Sequence, residues 1–167
     1  MSRSMFDDLD ATPSGAMEAV DSRTLRLSAH PLTEEELQGL IRYQEAFLAR
    51  IEGPSGGPGA VADAHQAGLE ASGLDVKRVE LGTVLLRAYC GQRWTARRLR
   101  TRLVELEAQP DAASAEKVAK ARTELRRIED LEPLARRHGQ ESLDLLAPHE
   151  EHLVALHARM QRALTRA

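Results

Sequence analysis

The chain of 167 residues has few of the residues that build strands or covalent cross-links. Cys90 is its only cysteine, so no disulfide can form within the chain and a zinc-ribbon site is excluded. Aromatic residues make up 3%, so a core must come mainly from Leu, Val, Ile and Ala, which is typical of packed helices. The sequence contains no apolar run of the roughly 18 residues that a membrane span needs. Its N-terminal region also has no apolar stretch of signal-peptide length, so we expect a soluble, cytoplasmic protein.

The formal net charge of −3 conceals an uneven distribution. Residues 1–52 carry five arginines against ten acidic residues, whereas residues 87–137 carry thirteen basic residues against eight acidic ones. Opposite charges attract, so one region could pack on the other. A partner could also bind either region.

Residues 1–31 are predicted to form a flexible, acidic N-terminal tail or arm, because they are polar and acidic and carry little apolar surface to bury. Within them, "MFDDLD" places Met5, Phe6 and Leu9 among acidic residues. This segment is either a solvated tail or a short docking motif whose apolar side chains fold onto a groove. "RTLRLS", residues 23–28, has the two-residue alternation of a strand and predicts an extended arm.

Residues 32–167 predict one all-α domain, a bundle of about five helices. "LTEEEL" provides Thr33 as an N-cap and Glu36 three residues later, the pattern of a capping box. Pro133 should kink or restart the fourth helix near Glu132, because it removes a backbone hydrogen bond. The predicted helices cover about 33–52, 59–72, 75–108, 112–138 and 141–165.

The two longest segments predict an antiparallel helical hairpin with a turn at Pro110, because apolar residues repeat in both at steps of four and three, as in a coiled coil. Gly82 and Gly91 are predicted as points where helices approach closely. The seam is predicted to contain Leu81, Leu85, Ala88, Gln92, Thr95, Leu99, Arg102 and Leu106, facing Val118, Ala121, Leu125, Ile128, Glu132 and Ala135.

The segment "GQRWTARRLRTRL" suggests a binding surface, with Trp94 near Arg97 and Arg98, where a guanidinium can stack on the indole. A basic helix with an aromatic residue could contact phosphates. The acidic chain as a whole and the lack of a recognition-helix motif weigh against nucleic acid. The arginines could instead pair with carboxylates of neighbouring helices, or bind an acidic protein.

The segment "PHEEHLVALH" contains His149 and His152, whose spacing allows both to bind one metal ion, with His65 as a third candidate ligand. The HExxH motif of metalloproteases is missing, and no histidine has a Glu three residues before it, as di-iron bundles require. The alternative is one histidine hydrogen-bonded at the edge of the core and the others exposed. This alternative is favoured, and no cofactor is expected.

By elimination, the sequence favours a non-catalytic helical-bundle protein that interacts with another protein, as an adaptor, regulator or inhibitor. The predicted contacts are Met5, Phe6 and Leu9 in the tail, and Trp94, Arg97 and Arg98 on the long helix. Self-association is a further hypothesis. The alternatives from other classes are a nucleic-acid-binding regulator that uses the arginine-rich helix, and a metal-binding protein that uses the C-terminal histidines.

Overall fold

The structure is a computed structural model that describes residues 31–54, 56–109 and 111–166. Within these residues the backbone forms seven α-helices and one short 3₁₀ turn. Five of the helices have 13 residues or more, so the prediction of an all-α bundle of about five helices is confirmed. The helices are α1 Glu34–Ile51, α2 Ala60–Ser72, α3 Val76–Glu107, α4 Ala112–Glu129, α5 Glu132–His138, α6 Gln140–Leu146 and α7 Glu150–Arg166, with the 3₁₀ turn Ala147–His149 before α7.

The predicted tail, residues 1–31, lies outside the described residues except for Pro31, and its docking motif and strand-like arm lie wholly outside them. The division of the chain into a tail and a bundle domain therefore stays a prediction. No helix in the described part of the chain is long and apolar enough to cross a membrane.

Local sequence signals place the helix ends close to their predicted positions. The Thr33 hydroxyl accepts a hydrogen bond from the Glu36 backbone amide at 3.2 Å, as the capping motif predicts. The reciprocal half of the capping box is replaced by a tertiary contact, because the Glu36 carboxylate pairs with Arg78 of α3 at 2.7 Å. Gly73 ends α2 with a positive φ of 68°, the left-handed conformation that glycine adopts without strain.

The main hydrophobic core lies where α1, α3, α5, α6 and α7 meet, and α4 contributes nothing to it. Its most buried leucines include Leu37, Leu85 and Leu153, each at most 1% exposed. Burying one such side chain contributes about 1.5–3 kcal/mol, so this cluster is the main source of stability. Helix α2 lies antiparallel to α1 over a smaller cluster that contains Phe47 and Ala64.

The second half of α3 and the whole of α4 form the predicted antiparallel hairpin. Arg100 pairs with Glu129 across it, and Arg122 pairs with Glu107 at 2.7 Å nearer the turn. Among the described helices α4 packs mainly on α3. The hairpin is therefore a two-helix extension from the bundle rather than a layer of its core.

The predicted seam of the hairpin is wrong by one residue at two positions. Thr95 and Arg102 are exposed, whereas Ala96 is fully buried and Leu103 is half-buried. A straight helix has 3.6 residues per turn and drifts by about 20° per heptad, so a strict seven-residue pattern leaves the contact face. Gln92 does lie in the seam, where its contacts are hydrogen bonds. Its side-chain amide donates to the carbonyls of Ile128 and Asp130, at 2.5 and 2.9 Å, where α4 ends.

Of the two predicted close approaches, one is confirmed and one is wrong. A Cβ on Gly82 would lie 2.5 Å from Leu40 Cδ1, so α1 and α3 can meet there only around a glycine. A Cβ on Gly91 would find its nearest neighbour, the His157 ring, at 3.9 Å, an ordinary contact distance. Helix packing therefore does not require glycine at position 91.

Candidate functional site: a basic and aromatic groove between α3 and α7

Trp94 lies on α3 where that helix meets α7, half-buried and held on two sides. The Arg98 guanidinium stacks over its ring at 4.8 Å from the centroid. The ring of His157 meets it edge-on, with centroids 6.2 Å apart. Arg98 is one helical turn beyond Trp94 and is itself exposed, so a stacked cation and an indole edge lie together at the surface.

A shallow groove of about 270 Å³ runs beside Trp94 along the C-terminal half of α7. Arg162 and Arg166 are one turn apart on α7, and both are exposed. Of the residues that the structure describes, none with a carboxylate side chain lines the groove. We call this surface the Trp94 groove; it is lined by Trp94, Ala158, Gln161, Arg162, Thr165 and Arg166.

The cations around the Trp94 groove differ from the other arginines nearby. Most arginines of residues 93–127 pair with a glutamate: Arg100 with Glu129, Arg102 with Glu105, Arg122 with Glu107 and Arg127 with Glu124. Within the described part of the chain, Arg98, Arg162 and Arg166 have no such ion pair. Their charge is therefore available to a ligand.

Arg97, predicted to act with Trp94 and Arg98, points elsewhere. Its guanidinium binds the Glu150 carboxylate at the start of α7 at 3.0 Å, and Arg93 binds the same carboxylate at 2.6 Å. Tyr89 completes the site by donating its hydroxyl to Glu150 Oε1 at 3.0 Å. Arg97 is thus a structural residue that joins α3 to α7, and we leave it out of the binding surface.

The Glu150 cluster fixes the protonation states of its members. Burial raises the pKa of Glu150, but the hydrogen bonds from its three partners outweigh burial, so its pKa is lowered overall. Burial, and then the Glu150 charge, raises the pKa of Cys90 to about 12. Cys90 is 1% exposed and stays a thiol at neutral pH, so it acts as a small hydrophobic side chain.

The three candidate metal ligands each contact a different partner on α1. His149 Nε2 lies 3.3 Å from Glu34, and His152 Nε2 lies 3.4 Å from Glu45. His65 Nδ1 lies 2.6 Å from the Tyr43 hydroxyl. The described residues contain no group of three or more histidine, cysteine or acidic side chains placed to hold one metal ion. In the structure, these three histidines therefore connect other parts of the bundle to α1.

Met5, Phe6 and Leu9 lie outside the described residues, so their predicted role in docking stays a prediction. The basic half of α7 was not among the predicted contacts, although its sequence carries a signal. No acidic residue follows Glu151 in the chain, whereas Arg162 and Arg166 recur on one helix face. The pairing of Glu150 with Arg93 left no such signal, because it joins residues 57 apart.

The chain matches no known protein family, no curated protein and no solved structure.

Proposed function

We propose that this chain is a non-catalytic helical-bundle interaction protein, an adaptor, regulator or inhibitor, whose Trp94 groove binds an acidic segment of a partner protein. The observation that carries the proposal is that Arg162 and Arg166 line one surface with Trp94, on whose ring Arg98 stacks, and that no carboxylate of the described residues lines this surface. Tryptophan and arginine are the residues most enriched among those that dominate binding energy at protein interfaces.

The groove also has features that favour affinity. Arg98 and His157 already hold the Trp94 ring in place, so this side chain loses little conformational entropy when a partner binds. Ala158 adds a small apolar contact beside the indole. The partner chemistry that fits is a peptide with several carboxylates and one apolar side chain that packs on Trp94.

A protein partner fits the charge pattern better than nucleic acid does. Binding to nucleic acid draws its affinity from many phosphate contacts along a continuous basic surface. Here glutamates engage Arg93, Arg97 and Arg100. Arg162 and Arg166 line one short groove, and Arg98 stacks on the Trp94 ring at its edge. A few carboxylates are enough to match them.

The proposal assigns two further features of the chain. The segment with Met5, Phe6 and Leu9 is proposed as a second contact with a partner, through apolar side chains flanked by acids. The cytoplasm is proposed as the compartment, since a reducing environment keeps a lone thiol such as Cys90 free.

The proposal is tested by expressing tagged full-length baits in cells of the source organism and comparing the proteins that each bait recovers. The first bait is the native chain, and the second is R98E/R162E, which reverses two exposed charges of the groove. The third is R126E, a matched reversal of an exposed arginine on α4. We expect native and R126E baits to recover the same partner and R98E/R162E to lose it. Chemical cross-links should join the partner's acidic segment to α7.

Recovery of the same partners by all three baits would contradict a role for the groove. A fourth bait without residues 1–31 tests the tail separately. If it retains every partner at native yield, the tail takes no part in binding. Light scattering of the purified chain tests self-association. If the groove binds a second copy of the chain, the measured mass should be twice that of one chain, and R98E/R162E should have the mass of one chain.

A further inference from the structure

A cavity of about 220 Å³ lies where α1, α2, α3 and α7 meet. Phe47 and Met160 give it apolar walls, and Val61 and Leu164, both partly exposed, extend this apolar surface. We call it the four-helix pocket. Its lining is completed by Tyr43, Gln44, His65, Thr83, Arg87, His157 and Gln161.

The polar side of the four-helix pocket is suited to an anion. Among the described residues, Arg87 is the only arginine that lines the pocket, and none of the carboxylates does. Within the described residues Arg87 is exposed and makes no ion pair, unlike Arg93 and Arg97 further along α3. An unneutralised guanidinium beside apolar walls favours a ligand that brings the compensating charge.

His157 and Tyr43 add polar groups to the pocket rather than charge. Burial, and then the Arg87 charge, lowers the pKa of His157, which keeps it neutral at pH 7. Burial raises the pKa of Tyr43, so its hydroxyl stays protonated; it lies 2.6 Å from His65 Nδ1.

The dimensions restrict the size of the ligand. Pockets that hold drug-sized molecules measure about 300–1,000 Å³, and this one has room for about seven waters at ~30 Å³ each. A short chain or a single ring fills it. The exposed position of Arg87 places an anionic group at the mouth, with the apolar part of the ligand directed toward Phe47 and Met160.

We propose that the four-helix pocket binds a small monocarboxylate, with its carboxylate on the Arg87 guanidinium and its hydrocarbon part between Phe47 and Met160. This site is separate from the Trp94 groove and does not depend on the function proposed for that groove. The two surfaces lie on neighbouring faces of α7: among the described residues their linings share only Gln161, and His157 of the pocket contacts the Trp94 ring of the groove.

The test is a titration of the isotope-labelled full-length chain, followed by the backbone amide signals in NMR spectra. Hexanoate is the probe, hexanamide is its uncharged counterpart of equal shape, and inorganic phosphate is an anion without a hydrocarbon part. We expect saturable shifts with hexanoate, centred on Gln44, Thr83 and Gln161, and weaker binding of both other compounds. Arg87→Gln should weaken hexanoate binding by about threefold to fivefold, because it removes an ion pair that solvent partly screens.

Arg126→Gln is the matched control, an exposed arginine on α4 away from the pocket, and it should bind hexanoate as the native chain does. The proposal is overturned if hexanoate gives no saturable shift at millimolar concentration, or if hexanamide or phosphate binds equally well. Unchanged binding by Arg87→Gln overturns it as well. The R98E/R162E variant should still bind hexanoate, so failure of the Trp94 groove and failure of this pocket give different results.

Discussion

Glu150→Gln is the substitution that tests most directly how α7 is held to the bundle. In the native chain the carboxylate accepts hydrogen bonds from Arg93, Arg97 and Tyr89 and lies in the first turn of α7, where the helix dipole favours a negative charge. Glutamine keeps the shape and one acceptor oxygen. It removes the charge and leaves two guanidinium groups facing a neutral amide.

The expected loss follows from how far each contact is removed from water. The Arg93 and Glu150 side chains are 17% and 22% exposed, so their pair is largely desolvated, whereas Arg97 is 39% exposed and more strongly screened. Hydrogen bonds to charged groups contribute about 1.5–3 kcal/mol, and exposed ion pairs contribute about 0–1 kcal/mol. With the Arg97 contact discounted for screening, we expect a loss of about 2 kcal/mol.

For a chain of this size that loss lowers the melting temperature by about 4–8 °C. Thermal and urea unfolding, followed by far-UV circular dichroism, measure it. Glu105→Gln is the control, since Glu105 and Arg102 are both 58% exposed and their pair should contribute less than about 0.5 kcal/mol. The reasoning is refuted if the free energies of unfolding of the two variants agree within that margin.

The pH dependence of the same variant gives a second check. The folded-state pKa of Glu150 lies below its ordinary value of 4.5. The native ion pair therefore contributes fully above pH 4.5, and its contribution is lost as the pH falls through the lowered folded-state pKa. The difference in unfolding free energy between the native and Glu150→Gln chains should be constant from about pH 5 to about pH 7. It should become smaller toward about pH 3, as the Glu150 carboxylate takes up a proton.

Gly91→Ala should stabilise the chain by about 0.5–1 kcal/mol in urea unfolding, because alanine favours the helix and its Cβ has room. Gly68→Ala should destabilise it by about 1–3 kcal/mol in the same assay, because its Cβ would lie 2.6 Å from the Tyr43 ring and 3.0 Å from that residue's carbonyl oxygen. Iodoacetamide should label Cys90 in the folded chain only as fast as the chain unfolds, since burial raises the pKa of its thiol to about 12; mass spectrometry measures the rate. Burial, and then the Arg137 charge, lowers the pKa of His138, so the unfolded chain binds a proton at this residue before the folded chain does. The melting temperature should therefore fall as the pH drops below about 6.5. His138→Leu should reduce this dependence of the melting temperature on pH.

The helices could be predicted from the sequence because their signals are local. The pattern predicted a helix over about 75–108 and the structure has Val76–Glu107, since apolar spacing and a terminal cap are set by neighbouring residues. The restart at Glu132 follows in the same way from Pro133, which occupies the first turn of α5. These features need no knowledge of the tertiary fold.

The charged contacts could not be predicted, because they depend on which helices become neighbours. Trp94 and Arg98 were paired correctly, since they are four residues apart on one helix. Arg97 was assigned to the same surface, yet its partner is Glu150, 53 residues away. Helix periodicity places a side chain on a face of its own helix but leaves open which helix covers that face.

The charge pattern of α7 has one explanation that competes with binding. Its acidic residues, Glu150 and Glu151, lie in the first turn and Arg166 lies in the last turn, as expected if the charges only compensate the helix dipole. That effect is confined to the terminal turns, so it explains Arg166 but leaves Arg162 to be explained. It also cannot concern Arg98, which belongs to α3 and stacks on Trp94 nine residues before that helix ends. The case for a binding surface therefore depends on cations from two helices meeting at one groove, and charge reversal at Arg98 is more informative than charge reversal at Arg166.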